Sequence, residues 1–263
     1  MLSKRLASTV VACTVLALGV TACGASAGKA PAVAPSPTVD PGISFEALSA
    51  KEITQKAQTA MAGLTSAKVD GSITTDEGVM DIHLATNSKG DCKGTMGIAH
   101  TGRTEVLHTG AQTWIKPDEN LWATMASQQG HPQAAAAAVQ LFKGHYLTGP
   151  ADDDLQGAVG MCSLIKGITE EKDDAGGTYA KGTVGTVNGT KSLSIVATGP
   201  DGETSTLYIA AEGEPYLLRM EQTQGSEPGQ LTFSGFNEPL TVQAPPADLV
   251  IDVSVFTDQL TTA

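Results

Sequence analysis

Few residues of this chain have the type and spacing that chemistry needs. Ser163-Leu164-Ile165-Lys166 has the S-x-x-K spacing of penicillin-recognising hydrolases, but the companion S-D-N and K-T-G elements are absent from the sequence. Beside a cysteine on an amphipathic stretch, those four residues read as an ordinary helix face. Gly189-Thr190-Lys191-Ser192 resembles the end of a phosphate-binding loop. It carries an extra Thr before the Lys, follows Asn188-Gly189 and opens a strand pattern, whereas a phosphate cradle opens a helix. It reads as a hairpin turn. His83, His100, His108, His131 and His145 are scattered. The first three allow two readings, neighbours on one sheet face with a metal or base role, or solvent-facing strand positions. His83 falls out of phase with Met80, Ile82 and Leu84, which favours solvent. Asp152-Asp153-Asp154 lacks the order of a calcium loop and suits a helix N-terminus. No catalytic residue, metal ligand or cofactor is assigned, and the chain is expected not to be an enzyme.

Cysteine carries more information. Lys4 and Arg5 precede an apolar run from Leu6 to Val20, long enough for the core of a signal peptide and short for a bilayer-spanning helix. The run ends in Val20-Thr21-Ala22-Cys23-Gly24, which resembles a bacterial lipobox. That resemblance implies cleavage after residue 22, a diacylglyceryl thioether on Cys23, added acylation (palmitate-type chains), and a place on the extracytoplasmic face of the cell membrane. The alternative is an ordinary secretory signal in which Cys23 has no such role. Each buried CH₂ contributes about 0.8 kcal/mol, so two acyl chains hold durably where one does not. Residues 24–44 combine small residues with Pro31, Pro35, Pro37 and Pro41 and show no apolar periodicity. They read as a solvated tether. The expected organisation is therefore a signal peptide at 1–22, a lipidated Cys and tether at 23–44, and one folded domain at 45–263.

Within that domain only Cys92 and Cys162 remain. An even count in an oxidising compartment favours one disulfide. A metal pair would need further soft ligands, and no C-x-x-C or H-x-x-x-H spacing supplies them.

Composition bounds the rest. The chain has 263 residues, a formal charge of −12, 41% hydrophobic and 17% charged residues. The apolar share is enough for a core, and a pI near 4.7 excludes a basic nucleic-acid footprint. Apolar residues from Phe45 to Leu64 recur at spacings of three to five, which predicts a helix. Beyond it the period changes to two. Met80, Ile82 and Leu84 alternate with polar residues, as do Met96 and Ile98, Leu193 and Ile195, Leu207 and Ile209, Leu218 and Met220, and Leu231 and Phe233. Turn sequences such as Asp76-Glu77-Gly78, Asn188-Gly189 and Gly199-Pro200-Asp201-Gly202 separate the runs. Connections this short make the strands mostly antiparallel. About six strands are expected between Ala67 and Thr124 and about five between Thr178 and Phe236. A helical insertion, Pro132–Lys143 and Asp152–Ile168, lies between them, and a short helical or extended tail follows Pro245-Pro246. Trp114 and Trp122 flank Pro117-Asp118-Glu119-Asn120, read as a hairpin turn whose tryptophans either pack the hairpin or form an interfacial lip. Neither strand group alone buries a good core, so both should share one sheet with the helices on its apolar side.

That order resembles the LolA/LppX-like group of lipoprotein folds, including the LppX/LprG-type lipoproteins of actinobacteria. Local likeness appears in Tyr216-Leu217-Leu218-Arg219-Met220, in Leu231-Thr232-Phe233-Ser234-Gly235-Phe236-Asn237 and in Ala244-Pro245-Pro246-Ala247. The resemblance covers roughly residues 45–250. It implies an α+β fold in which a curved antiparallel half-barrel of about 11 strands carries helices on its concave face and can hold acyl chains.

Two functions follow. The first is a membrane-anchored carrier of a lipid, glycolipid or other apolar ligand, working by desolvation of acyl chains. Its cavity candidates are Met80, Ile82, Leu84, Met96, Ile98, Leu193, Ile195, Leu207, Ile209, Leu218, Met220, Leu231 and Phe233, and a dry core needs the same residues. The second is an envelope lipoprotein with a filled core, whose acidic surface meets a protein partner or serves in sensing.

Overall fold

The computed structural model describes residues 45–110, 112–128, 139–149, 153–163, 166–167, 177–225 and 228–254. The lipobox, the tether and most of Pro132–Lys143 lie outside the described residues. All described residues belong to one unit, Val39–Ala263.

The first helix, α1, spans Ala50–Ala62, shorter than the periodicity implies. Its start is set by a capping box. The Ser49 hydroxyl accepts from the Glu52 amide at 3.2 Å, and the Glu52 carboxylate accepts from the Ser49 amide at 2.7 Å. Phe45 and Leu48 therefore precede the helix, yet they pack against the same apolar cluster. Ala50, Ile53, Ala57 and Met61 form the buried stripe.

Five strands follow: β1 Ser66–Thr75, β2 Gly78–Asn87, β3 Cys92–Ile98, β4 Gly102–Thr109 and β5 Gln112–Pro117. The sixth strand expected before Thr124 is instead a helix, α2, Glu119–Gln128. Asp118 caps it, its carboxylate accepting from the Leu121 amide at 2.7 Å. Then come β6 Tyr146–Thr148 and helix α3 Asp153–Cys162, which begins within the acidic triplet. The second strand group is β7 Thr178–Val187, β8 Thr190–Thr198, β9 Thr204–Ala210, β10 Leu217–Gln222 and β11 Gly229–Ser234. A 3-10 turn at Ala247–Leu249 leads into β12, Val250–Asp252.

These strands make one open 12-stranded sheet in the order β12-β6-β5-β4-β3-β2-β1-β11-β10-β9-β8-β7. The two groups join at the centre, where β1 pairs antiparallel with β11 and places Val69 opposite Phe233. Only β12 on β6 is parallel. Asn188 and Gly189 both adopt positive φ between β7 and β8, the geometry of a two-residue hairpin turn. The architecture is an α+β half-barrel with two three-residue strands, β6 and β12, at one edge.

Candidate functional site: a half-open apolar face

Side chains alternate along a strand, so register assigns each residue to a face. One row crosses the sheet from Ile195 through Leu207, Met220, Leu231, Gly71 and Ile82 to Met96, each opposite the next. A second row, toward the strand ends, holds Ile73, Met80 and Ile98. A third holds Phe233, Val69, Leu84, Gly94, Val106 and Ile115. α1 covers this face over β7, β9 and β10, and the buried members of the face other than Val106 cluster with Ile53, Ala57 and Met61.

Burial along the face is uneven. Ile82, Ile195 and Ile209 are fully enclosed, and Leu84, Leu193, Leu231 and Phe233 are buried. Ile73, Met80, Met96, Leu207 and Met220 pack against the same cluster but stay half-buried. Ile98, opposite Met80, is half-buried too. Met161 of α3 also packs against this cluster. The face thus has a closed floor at Ile82, Ile195, Ile209, Leu231 and Phe233 and a half-open mouth of Met, Ile and Leu side chains, Met96, Leu207 and Met220 among them in the first row and Ile73, Met80 and Ile98 toward the strand ends. In the middle of the first row, a Cβ on Gly71 would collide with the Gln230 carbonyl. The row carries no side chain there.

One cavity candidate is misplaced by its sequence pattern. The β9–β10 register shifts between Leu217 and Arg219, so Leu217 lies opposite Ile209 and Arg219 opposite Tyr208. The bulge changes the alternation, and Leu218 packs on the other side of the sheet with Val187 and Ala210. Leu217 takes its place in the main cluster.

Cys92 and Cys162 are bridged, with Cα atoms 5.6 Å apart. The bridge fastens the end of α3 to β3 within a small buried cluster that includes Val106. The Thr86 hydroxyl donates to the Cys162 carbonyl at 3.0 Å beside it.

Across β1–β5 the opposite face carries a polar line. Asp70, His83, Thr95, Glu105 and Lys116 stand in one cross-strand line. His83 Nδ1 is 2.9 Å from the Asp70 carboxylate, and Arg103 reaches Asp81 at 3.1 Å. Burial works to raise the Glu105 carboxyl. Hydrogen bonds from Lys116 and Tyr146, with the Lys116 charge, more than offset it and hold the group below its ordinary value. A groove of about 400 Å³ runs over Ala85 and Gly94 between Lys68, His83, Lys93 and Leu107.

The remaining chemistry-bearing residues do not converge. His83 is on the polar face, and His100 is in the β3–β4 turn at φ 70°. His108 is buried, with Nδ1 2.9 Å from the Thr113 hydroxyl. His145 Nδ1 is 3.2 Å from the Lys143 carbonyl, and His131 lies outside the described residues. Among the described residues no three His, Cys, Asp or Glu side chains are grouped to hold a metal. Leu164 and Ile165, between Ser163 and Lys166, lie outside the described residues. Trp114 is buried on β5, and Trp122 belongs to α2, where it stacks on Phe142 with ring centres 5.3 Å apart. They do not share a hairpin.

An open half-barrel carrying helices over one apolar face defines the class of fold. In comparison with solved structures, LprF from Mycobacterium bovis superposes with a TM-score of 0.51 at 15% identity, over 75% of this chain and 97% of that one. The lipoprotein LppX from Mycobacterium tuberculosis matches at 0.45 and 17% identity, over 73% and 97%. A LolA superfamily protein from Nitrosomonas europaea is at 0.24 and 11%, over 77% and 97%. No family model and no curated protein matches the chain. The fold is like that of LprF. No helix among the described residues is long and apolar enough to cross a membrane.

Proposed function

We propose that this protein is a membrane-anchored lipoprotein that holds a lipid or other apolar ligand against the helix-covered face of its half-barrel. The half-open mouth carries the reading. Met80, Met96, Leu207 and Met220 are packed on the core yet remain half-buried. Closing over them completely would add part of the about 1.5–3 kcal/mol of full burial, so their half-exposure leaves apolar surface open to a ligand. Unbranched Met side chains re-pack around acyl chains of different shape without directional demands. Binding is desolvation of the ligand, with no bond made or broken. Anchoring follows from the lipobox-like Val20-Thr21-Ala22-Cys23, with diacylglyceryl-Cys23 as the membrane partner.

The test is native mass spectrometry of protein purified from membranes in mild detergent, followed by solvent extraction. A discrete adduct that extracts as a lipid or glycolipid is expected. Protein at its own mass throughout, with nothing extracted, favours the filled-core envelope lipoprotein that meets a protein partner through its acidic surface.

A further inference from the structure

We infer that Met80, Met96, Met161 and Met220 are oxidation sites, and that converting their thioethers to sulfoxides releases the apolar ligand. The inference adds a form of regulation to the carrier reading and rests on it. Placement carries it first. Of the seven methionines in the chain, five pack in the one cluster of the apolar face. They come from five different elements, α1, β2, β3, α3 and β10. Met61 of α1 is enclosed at 2% exposure, whereas the other four stay half-buried. An oxidant in the surrounding water therefore reaches four sulfurs of the cluster before the fifth.

Hydrogen peroxide is the co-reactant. The sulfur lone pair attacks one peroxide oxygen, the O–O bond breaks, an S–O bond forms and water leaves. Sulfur gives up two electrons and peroxide takes them. The product is a polar acceptor where an apolar group stood, and register defines its neighbours. Met80 stands between Ile73 and Ile98, and Met220 between Leu207 and Leu231. Neither pair has a side-chain donor. Met96 stands between Ile82 and Thr104, whose hydroxyl donates to the Glu105 carbonyl at 3.5 Å. In the empty protein, water enters the half-open mouth and satisfies the sulfoxides. An acyl chain seated over them expels that water and brings no donor to replace it. Oxidation therefore acts against the occupied state more than against the fold. Methionine sulfoxide reductases return the thioether, so the change is reversible.

Peroxide treatment with peptide mapping tests this. The chain from Gly24 onward contains the whole described unit, and the uncharged apolar dye Nile red is the probe. The four half-buried methionines should oxidise at least about fivefold faster than Met61. At a dose that leaves Met61 reduced, dye affinity should fall at least about tenfold. The melting temperature should stay within about 2 °C, and the reductases should restore the affinity. In the variant Met80→Leu, Met96→Leu, Met161→Leu, Met220→Leu, which conserves volume, the affinities before and after that dose should agree within about twofold. This variant keeps Met125, half-buried on α2 and outside the cluster, as an oxidisable control. Dye loss in the variant overturns the inference. So does unchanged affinity of the wild type with its four sulfoxides in place, dye loss that tracks unfolding, or oxidation no faster than at Met61. Each of these leaves the carrier reading standing. Wild type that binds no dye before peroxide removes the carrier reading, and this inference with it.

Discussion

Leu217 lies directly opposite Ile209 across the β9–β10 pair, and both are buried in the cluster beneath α1. Their neighbour Leu218 is equally buried, at 6% exposure, but on the other side of the sheet. Alternation puts the two adjacent leucines on opposite faces, and the bulge between Leu217 and Arg219 decides which of them joins which core. Leu217→Ala and Ile209→Ala should each cost about 2–5 kcal/mol. In a double-mutant cycle they should couple by more than about 0.5 kcal/mol, whereas Leu218→Ala and Ile209→Ala should add within that margin. Urea unfolding of the single and double variants measures both.

Enlarging a side chain separates the mouth from the floor. Leu207 is half-buried and Ile195 is fully enclosed, and the two are opposite each other. Leu207→Trp should keep the melting temperature and reduce co-purified ligand. Ile195→Trp should overpack the floor at about 1–3 kcal/mol. For a domain of this size that lowers the melting point by roughly 2–12 °C. Calorimetry with lipid extraction of the same samples reads both effects.

The bridge between Cys92 and Cys162 spans a sequence separation of 70 residues. Constraint of the unfolded chain by such a loop contributes about 4 kcal/mol. The double variant Cys92→Ala, Cys162→Ala should lose stability of that order in denaturant titration. Cys23→Ala in the same assay should lose none.

Glu105 gives the fold a dependence on pH. Its folded pKa lies below the ordinary value, so the group contributes stability at neutral pH and loses it as pH falls through the carboxylate range. Wild type should exceed Glu105→Gln in stability near pH 7, and the gap should shrink below pH ~4. Thermal melts of the two proteins across an acid series check the sign.

Replacing Cys23 by Ser should move the protein from membranes to the medium. Cys23→Ser protein that still pellets after a carbonate wash would remove the anchor from the functional reading.

Alternation made much of this fold legible before any coordinates. Leu193, Ile195, Leu207, Ile209, Leu231 and Phe233 all occupy the face their period assigns. The departures have local causes. Leu217-Leu218 is an apolar pair inside an alternating run, and the bulge falls there. Pro117-Asp118-Glu119 has the composition of a helix start, and the Asp118 cap was the available signal for α2. The strands β6 and β12 are three residues each, too short to display a period. For the site, composition could name the apolar residues of the face. The grading from enclosed Ile82 to half-buried Met80 depends on tertiary packing, which no local pattern encodes.

The seam between β1 and β11 has a kinetic consequence. Beside it, the ion pair of Lys68 with Glu238 joins residues 170 apart in sequence. A sheet whose central pairing awaits its eleventh strand has high contact order and closes slowly. Until β11 is available, β1 presents a bare edge and the floor lacks Leu231 and Phe233. A chain emerging from the ribosome would stay loose and threadable through most of its synthesis.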